Sequence, residues 1–400
     1  MSLVPGEPRG LITPQLTIDV LERTLGLFGR VVIDSTVNNH SLGGVRMMPD
    51  VGLGELAGLA RNMTLKFGFW RIPMGGAKAC IFISNKIPGK KRCQFLASFG
   101  KNLAPLLKAG IYIPASDMGS SGSDIDRILT VAGCPTGRKE SKAHIYTSWT
   151  MYTSAEVAAT NIGMDVSGST IAIEGFGKVG ASAAETFSEA GARVVAISTI
   201  EGAIYDPLGI DVSRILELRE QYGDRLVARY PARRIGKSEL FGLDVDIIAP
   251  CAGAWSINFF NAKDVKCRIV CPGANIPMSN EVEGFLHERG VLCIPDFVAN
   301  SGGVFGGHID SFVNERRIRE VIQTNFRKQV QELIDCSQEM NVTLGSIARE
   351  MSKRRFQAMK TKAENSVFQS DWIKSLIRLL PKSVTNSLAP LYLKRVLDID

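Results

Sequence analysis

Apolar positions follow two different periods along the chain. Residues 30–37 (RVVIDSTV) and 44–48 (GVRMM) read as extended. Leu53, Leu56, Ala60 and Met63 recur at helical spacing and predict an amphipathic helix over about 52–66. A Pro/Gly turn, IPMGGAK, then leads into an apolar strand at 79–84, and a helix follows near 92–109. Pro105 should kink or restart that helix, because it removes a donor and crowds the preceding turn. Another strand is predicted at 111–117, and a long helical pattern over about 148–163 leads into the second half. There the rhythm becomes regular. Strands at 169–175, 192–198, 245–250, 268–273 and 290–295 are β-branched runs separated by helices, the first of them at 178–190. Such alternation requires crossover connections and predicts a parallel sheet. From about 301 to 365 the pattern is mostly helical, and no internal repeat or low-complexity segment interrupts it. The fold class expected is therefore α/β, with a doubly wound parallel sheet in the second half.

Composition narrows the class. The 400 residues are 45% hydrophobic and 22% charged, which excludes a disordered chain, a collagen-like repeat and a disulfide mini-protein. The length suffices for two cores. No apolar stretch reaches the ~18–20 residues of a membrane span, and MSLVPGEPRG lacks the basic flank and apolar core of a secretory signal. Eight cysteines scattered through apolar segments read as reduced thiols of a cytoplasmic protein. Residues 351–400 hold ten Lys/Arg and four Asp/Glu, so a basic tail carries most of the net +7 and the body is near neutral. A neutral body argues against nucleic-acid binding. In that tail Trp372, Ile373, Leu376, Ile377, Leu379 and Leu380 lie between Lys374, Arg378 and Lys382. A helix docking on protein is favoured there over one lying on a membrane surface.

The first sharp motif is Gly175-Phe176-Gly177-Lys178-Val179-Gly180, between a predicted strand and a predicted helix. In that context Gly175 permits the tight turn, Gly177 lets a pyrophosphate approach the backbone and Gly180 lets the helix pack on the sheet. The helix N-terminus offers N–H groups to phosphates. An NAD site usually adds Asp or Glu at the end of the second strand. Here that strand ends at Ser198-Thr199, and Glu201 comes two residues later. Thr199 would not repel a 2′-phosphate, so NADP stays open beside NAD.

A second region carries amine chemistry. SLGGVR (41–46), MTLK (63–66), PMGGAK (73–78) and PASDMG (114–119) place Lys66, Lys78 and Asp117 at element ends beside glycine turns. A desolvated lysine near another cation has a depressed pKa and can act as a base. Each residue alone has a plainer explanation: Lys66 as a helix end, Lys78 as a surface loop lysine, Asp117 as a helix cap. Metal and hydrolase chemistry find no support. The four histidines are dispersed, Cys267 and Cys271 lack the spacing of a zinc box, and no G-x-S-x-G elbow is present. No metal is expected.

Taken in order, L-G-G-x-R, M-T-x-K, G-G-x-K, A-x-D-x-G, the glycine loop, Gly273-Ala-Asn275-x-Pro277 and Asn300-Ser-Gly-Gly-Val304 resemble the Glu/Leu/Phe/Val (amino acid) dehydrogenase family from about residue 20 to about 340. The resemblance implies a substrate-binding and catalytic domain at 1–147, a Rossmann dinucleotide-binding domain at 148–340, and C-terminal helices with the basic tail at 341–400. It implies that Lys66 holds the substrate α-carboxylate. Lys78 polarises the 2-oxo carbonyl and activates water, and Asp117 exchanges a proton with the amino group. Thr147 would lie at the nicotinamide, and Asn275 and Asn300 would line the cleft between domains, whose closure excludes water. The implied partners are an amino acid or 2-oxo acid, ammonia and further copies of the chain in a homo-oligomer.

Glutamate-specific members of that family hold the substrate side chain with a lysine just before the G-G-x-R turn and a serine after N-x-G-G-V. This chain has Leu42 and Gly307 there. An unpaired buried carboxylate would cost several kcal/mol. With Gly43, Gly44, Ala115 and Val304, these residues form an expected apolar pocket. Ala79-Cys80 also replaces two glycines of the glutamate enzymes. The reading is an amino acid dehydrogenase for an apolar or aromatic side chain. The alternatives are a glutamate dehydrogenase, with another cation such as Arg46 restoring the pairing, or a non-catalytic binding relative.

Overall fold

The computed structural model describes residues 13–84, 87–136, 141–311, 313–365, 392–394 and 397. The apolar tail stripe at 372–382 and the N-terminal decapeptide lie outside the described residues. The chain forms two compact units, one of described residues up to Ser141 with those from Ser352 to 365, the other of Lys142–Met351 with 392–394 and 397.

The first unit contains β1 (Leu16–Glu22), β2 (Leu27–Ile33), β3 (Ser41–Met48), α1 (Leu53–Phe69), β4 (Gly75–Phe82), α2 (Gly89–Lys108), β5 (Tyr112–Ser116) and α3 (Gly122–Ala132). Its sheet runs β1-β2-β4-β3-β5, with β3 parallel to β4 and β5 and the other pairs antiparallel. Side chains alternate between faces along each strand. Ala77, Ala79 and Ile81 of β4 join Val45, Met47, Phe95, Phe99 and Ile128 in the larger core, beneath α2 and α3. Val32 and Cys80 point the other way and pack with Leu56, Ala57 and Ala60 of α1. Lys78 pairs with Val32 and so shares that α1 face. The helix lies directly on the sheet at Gly76, where a Cβ would strike the Thr64 backbone and the Ala60 carbonyl.

The second unit contains α4 (Ala143–Asn161), β6 (Thr170–Glu174), α5 (Lys178–Glu189), β7 (Arg193–Thr199), β8 (Gly202–Tyr205), α6 (Val212–Tyr222), β9 (Arg233–Ile235), β10 (Ile247–Pro250), β11 (Ile269–Val270), α7 (Asn280–Glu288), β12 (Leu292–Cys293), α8 (Asp296–Ala299), α9 (Gly302–Ile309), α10 (Glu315–Val321) and α11 (Arg327–Met340). The last helix, α12 (Leu344–Glu364), contributes its residues from Ser352 onward to the first unit. The sheet order is β12-β11-β10-β6-β7-β8-β9. From β12 to β7 the strands are parallel, and buried apolar side chains such as Ile171, Val195, Ile248 and Val270 fill the space under the helices.

Two expectations change. The sheet is not wholly parallel, because β8 and β9 add antiparallel strands to its edge. Only Ile200 and Glu201 separate β7 from β8, too few residues for a crossover, so a hairpin is the only connection. Nor does Pro105 restart its helix: α2 runs unbroken from Gly89 to Lys108. The carbonyl that loses its donor belongs to Lys101, which is exposed and can bond to water. Strand β1 had no counterpart in the sequence reading. It pairs antiparallel with β2 across a short turn.

Candidate active site

Three strands of the first unit bring the chemical groups together. Leu42 of β3 pairs with Gly76 of β4 and Ile113 of β5, and Gly44 pairs with Ala115. Paired residues of parallel strands share a face, so Leu42, Gly44, Ile113 and Ala115 lie on the face that carries Lys78. A Cβ on Gly44 would sit 3.3 Å from the Lys78 ammonium and 2.7 Å from the Asp117 Cβ. Glycine there keeps open the space beside the two charged groups. Gly43, expected in the pocket, points to the opposite face instead, where its missing side chain lets the Ala77 backbone close in.

Lys78 is 4% exposed. Its Nζ lies 2.8 Å from Asp117 Oδ2. Arg46, two residues beyond Gly44, donates Nε–H to the same oxygen at 3.0 Å and Nη1–H to Glu55 at 2.8 Å. Asp117 is fixed by the turn that follows β5. Its N–H donates to Ser120 Oγ, which in turn donates to the Val45 carbonyl. It does not cap α3, since Ser121 and Asp124 form the capping box of that helix. Burial lowers the pKa of Lys78, and the positive field of Arg46 adds to that, against the pull of Asp117. Burial alone would raise the pKa of Asp117, but Lys78 and Arg46 together hold it well below the ordinary carboxylate range. Lys66 is 5% exposed, within the last turn of α1. Thr64 anchors the same turn by donating to Asp34 at 2.5 Å.

The glycine loop lies in the second unit. Gly175 follows β6 with φ +89°, a conformation that favours glycine, and its N–H donates to Ser198 Oγ at 3.0 Å. A Cβ on Gly180 would collide with the Gly175 carbonyl, so the first turn of α5 sits directly against the loop. Gly177 differs from both. Its φ of −76° suits any residue, and a Cβ there meets nothing within 4 Å. The space it leaves lies at the uncapped N-terminus of α5, beside Lys178 and Val179. An open cradle at that place fits a dinucleotide pyrophosphate. Thr199 ends β7, but its hydroxyl donates to the Asp224 carbonyl at 2.7 Å and accepts from the Glu201 N–H.

The remaining expected site residues gather near α4, α8 and α9 of the second unit. Asn300 donates to the Gly273 and Ala274 carbonyls and to Asn275 Oδ1, pinning the loop after β11. Thr147 is buried in α4, and a Cβ on Gly303 would come within 2.8 Å of its hydroxyl. Thr150 accepts the Gly302 N–H. Val304 is half-buried and Gly307 exposed, three residues apart on α9. The residues proposed for the pocket thus divide between the units, with Leu42, Gly44 and Ala115 on the first and Val304 and Gly307 on the second.

Several polar contacts escaped the sequence reading. The hold of Arg46 on Asp117, with Glu55 bracing the other side of the guanidinium, is one. Arg219 of α6 donates Nε–H to the Phe176 carbonyl at 3.0 Å. Arg234 and Lys237 reach the carbonyls of Glu201 and Ile200. No period or motif marks Arg219, Arg234 or Lys237, and L-G-G-x-R marks Arg46 without showing its partners.

A glycine cradle for a dinucleotide and a buried lysine–aspartate pair define an oxidoreductase of the nicotinamide type. The family model for the Glutamate/Leucine/Phenylalanine/Valine dehydrogenases matches residues 141–364, and the model for the dimerisation domain of the same enzymes matches residues 25–132. The chain belongs to this family of NAD(P)-dependent dehydrogenases acting on the CH–NH2 group of amino acids. It is 33% identical to a glutamate dehydrogenase of Aeropyrum pernix over 290 residues, 68% of this chain and 69% of that one. Its fold matches a hetero-hexameric glutamate dehydrogenase from Thermus thermophilus with TM-score 0.74 and 23% identity, covering 87% of this chain and 90% of the other. It also matches the L-tryptophan dehydrogenase of Nostoc punctiforme with TM-score 0.61 and 22% identity, covering 87% and 97%.

Proposed function

We propose that this protein interconverts an L-amino acid of apolar or aromatic side chain with its 2-oxo acid and ammonia, as a homo-oligomer. The observation that carries the reading is the buried Lys78–Asp117 pair, 2.8 Å apart, beside the apolar row of Leu42, Gly76 and Ile113. NAD or NADP supplies hydride transfer when bound. Lys66 anchors the α-carboxylate. Lys78, desolvated, reaches its neutral form more readily than a surface lysine and serves as the base that takes a proton from water. Asp117 accepts a hydrogen bond from the substrate amine. Its proton affinity rises once Lys78 gives up its own proton, because the two groups titrate as a coupled pair. Gly44 leaves room for the reacting carbon and nitrogen next to both. The homo-oligomer rests on the match to the dimerisation model.

A glutamate substrate is the second reading, favoured by the names of the relatives. It needs a cation for the side-chain carboxylate. Arg46 does not supply one freely, since Glu55 and Asp117 occupy its Nη1 and Nε. Leu42→Lys with Gly307→Ser should therefore move preference from apolar 2-oxo acids toward 2-oxoglutarate by about tenfold or more in kcat/KM. An unchanged ratio in a folded double variant would refute the pocket assignment.

A further inference from the structure

We propose that Tyr392, in the C-terminal segment, is a specificity-determining residue: tied to His308 on α9, it bounds the space beside Gly307 and so limits the size of the substrate side chain. The inference rests on the apolar or aromatic substrate proposed above and deepens it. Tyr392 lies past residue 364, where the family match ends, and belongs to the same compact unit as α9.

Three glycines set how α9 lies on α4. A Cβ on Gly302 would strike the Tyr146 carbonyl, one on Gly303 would come within 2.8 Å of the Thr147 hydroxyl, and one on Gly306 would strike the Tyr146 ring. Phe305 and Ile309 are fully buried. That leaves Val304, Gly307 and His308, which are neighbours on one helix face at i, i+3 and i+4 spacing. Val304 and His308 are half-buried, while Gly307 is exposed and a Cβ on it would meet nothing within 4 Å.

The C-terminal segment comes to this face. His308 Nε2 and Tyr392 Oη are hydrogen-bonded at 2.7 Å, and the two ring centres lie 6.0 Å apart at an angle of 38°. Burial raises the pKa of the phenol, so its hydroxyl keeps the proton. The segment is anchored beside this contact. Residues 392–394 form a helical turn, Leu393 and Leu397 are buried, and the Leu397 N–H donates to the Leu393 carbonyl at 3.2 Å. Two buried leucines and a ring-to-ring hydrogen bond fix Tyr392 in place. A substrate side chain that reaches Val304 therefore enters a space open at Gly307 and bounded at His308 by a fixed aromatic pair.

Reductive amination by the full-length protein tests the inference, with phenylpyruvate and 4-methyl-2-oxopentanoate compared by kcat/KM. Tyr392→Ala removes the boundary and should raise the ratio of the larger acid to the smaller by about tenfold or more. Tyr392→Phe loses only the tie to His308 and should move the ratio the same way, by about threefold. A purely structural role would lower the rate with both acids alike and leave the ratio fixed. Unchanged dinucleotide affinity, read by NADH or NADPH fluorescence, is the control that a variant is folded, and if Tyr392→Ala does not fold, Tyr392→Phe decides. An unchanged ratio in the folded variants would overturn the role of Tyr392 and leave the apolar substrate reading standing. Failure of the wild type to turn over either acid would overturn that reading and the inference with it.

Discussion

Lys78 is placed in mid-strand, where burial strips its ammonium of water and Asp117 is the main compensation. The energetic consequence has a sign. Burial lowers the lysine pKa, so the neutral form is gained as pH rises through a value below the ordinary 10.5. If Lys78 is the base, kcat for amino acid oxidation should climb with pH through one ionisation in that lowered range. Lys78→Ala should cut turnover by about 10²–10⁴-fold, the usual worth of general-base catalysis, and abolish that limb. A variant that keeps the limb, or more than about a tenth of the rate, would remove Lys78 from the role. Lys78 and Asp117 were legible in the sequence from the glycines beside them, although β4 begins at Gly75 and so carries Lys78 inside the strand rather than at its end. The grip of Arg46 on Asp117 was not. It spans 71 positions and depends on the register of β3 against β5, which no local pattern encodes.

At the scale of the element, the glycine loop shows how three similar residues do different work. Gly175 and Gly180 are required by the chain itself, one by its left-handed backbone and the other by the packing of α5. Gly177 is required by neither. Gly180→Ala should therefore destabilise the fold, by about 1–3 kcal/mol for overpacking against backbone. Gly177→Ala should leave the melting temperature near that of the wild type and weaken dinucleotide binding strongly. Thermal melts paired with NADPH fluorescence titration read both effects. Tight cofactor binding by Gly177→Ala would mean the cradle holds something else. The strand–loop–helix context of this motif was readable because apolar runs and glycines coincide. The antiparallel edge was not, because β8 and β9 are only four and three residues long and too short to show a period. The unbroken α2 was equally hidden, since the tolerance of Pro105 depends on the exposure of Lys101.

Across the whole molecule, the chemistry is divided by unit. Lys66, Lys78 and Asp117 belong to the first, and the glycine loop and the asparagine clamp at Asn300 to the second. Among the described residues no helix is long and apolar enough to cross a membrane. The order of motifs along the sequence was enough to reach the family, because each motif is a short local run of residues. Substrate choice was less legible, since the residues proposed to bear on it, Leu42, Ala115, Val304 and Gly307, are ordinary small or apolar residues whose meaning depends on what stands beside them. The most direct test is a set of initial rates for reductive amination of phenylpyruvate, 4-methyl-2-oxopentanoate and 2-oxoglutarate, with saturating ammonium and with NADH or NADPH. The account predicts turnover with at least one of the first two and a kcat/KM for it well above that for 2-oxoglutarate. A preference for 2-oxoglutarate, or no turnover with any of the three, would contradict it.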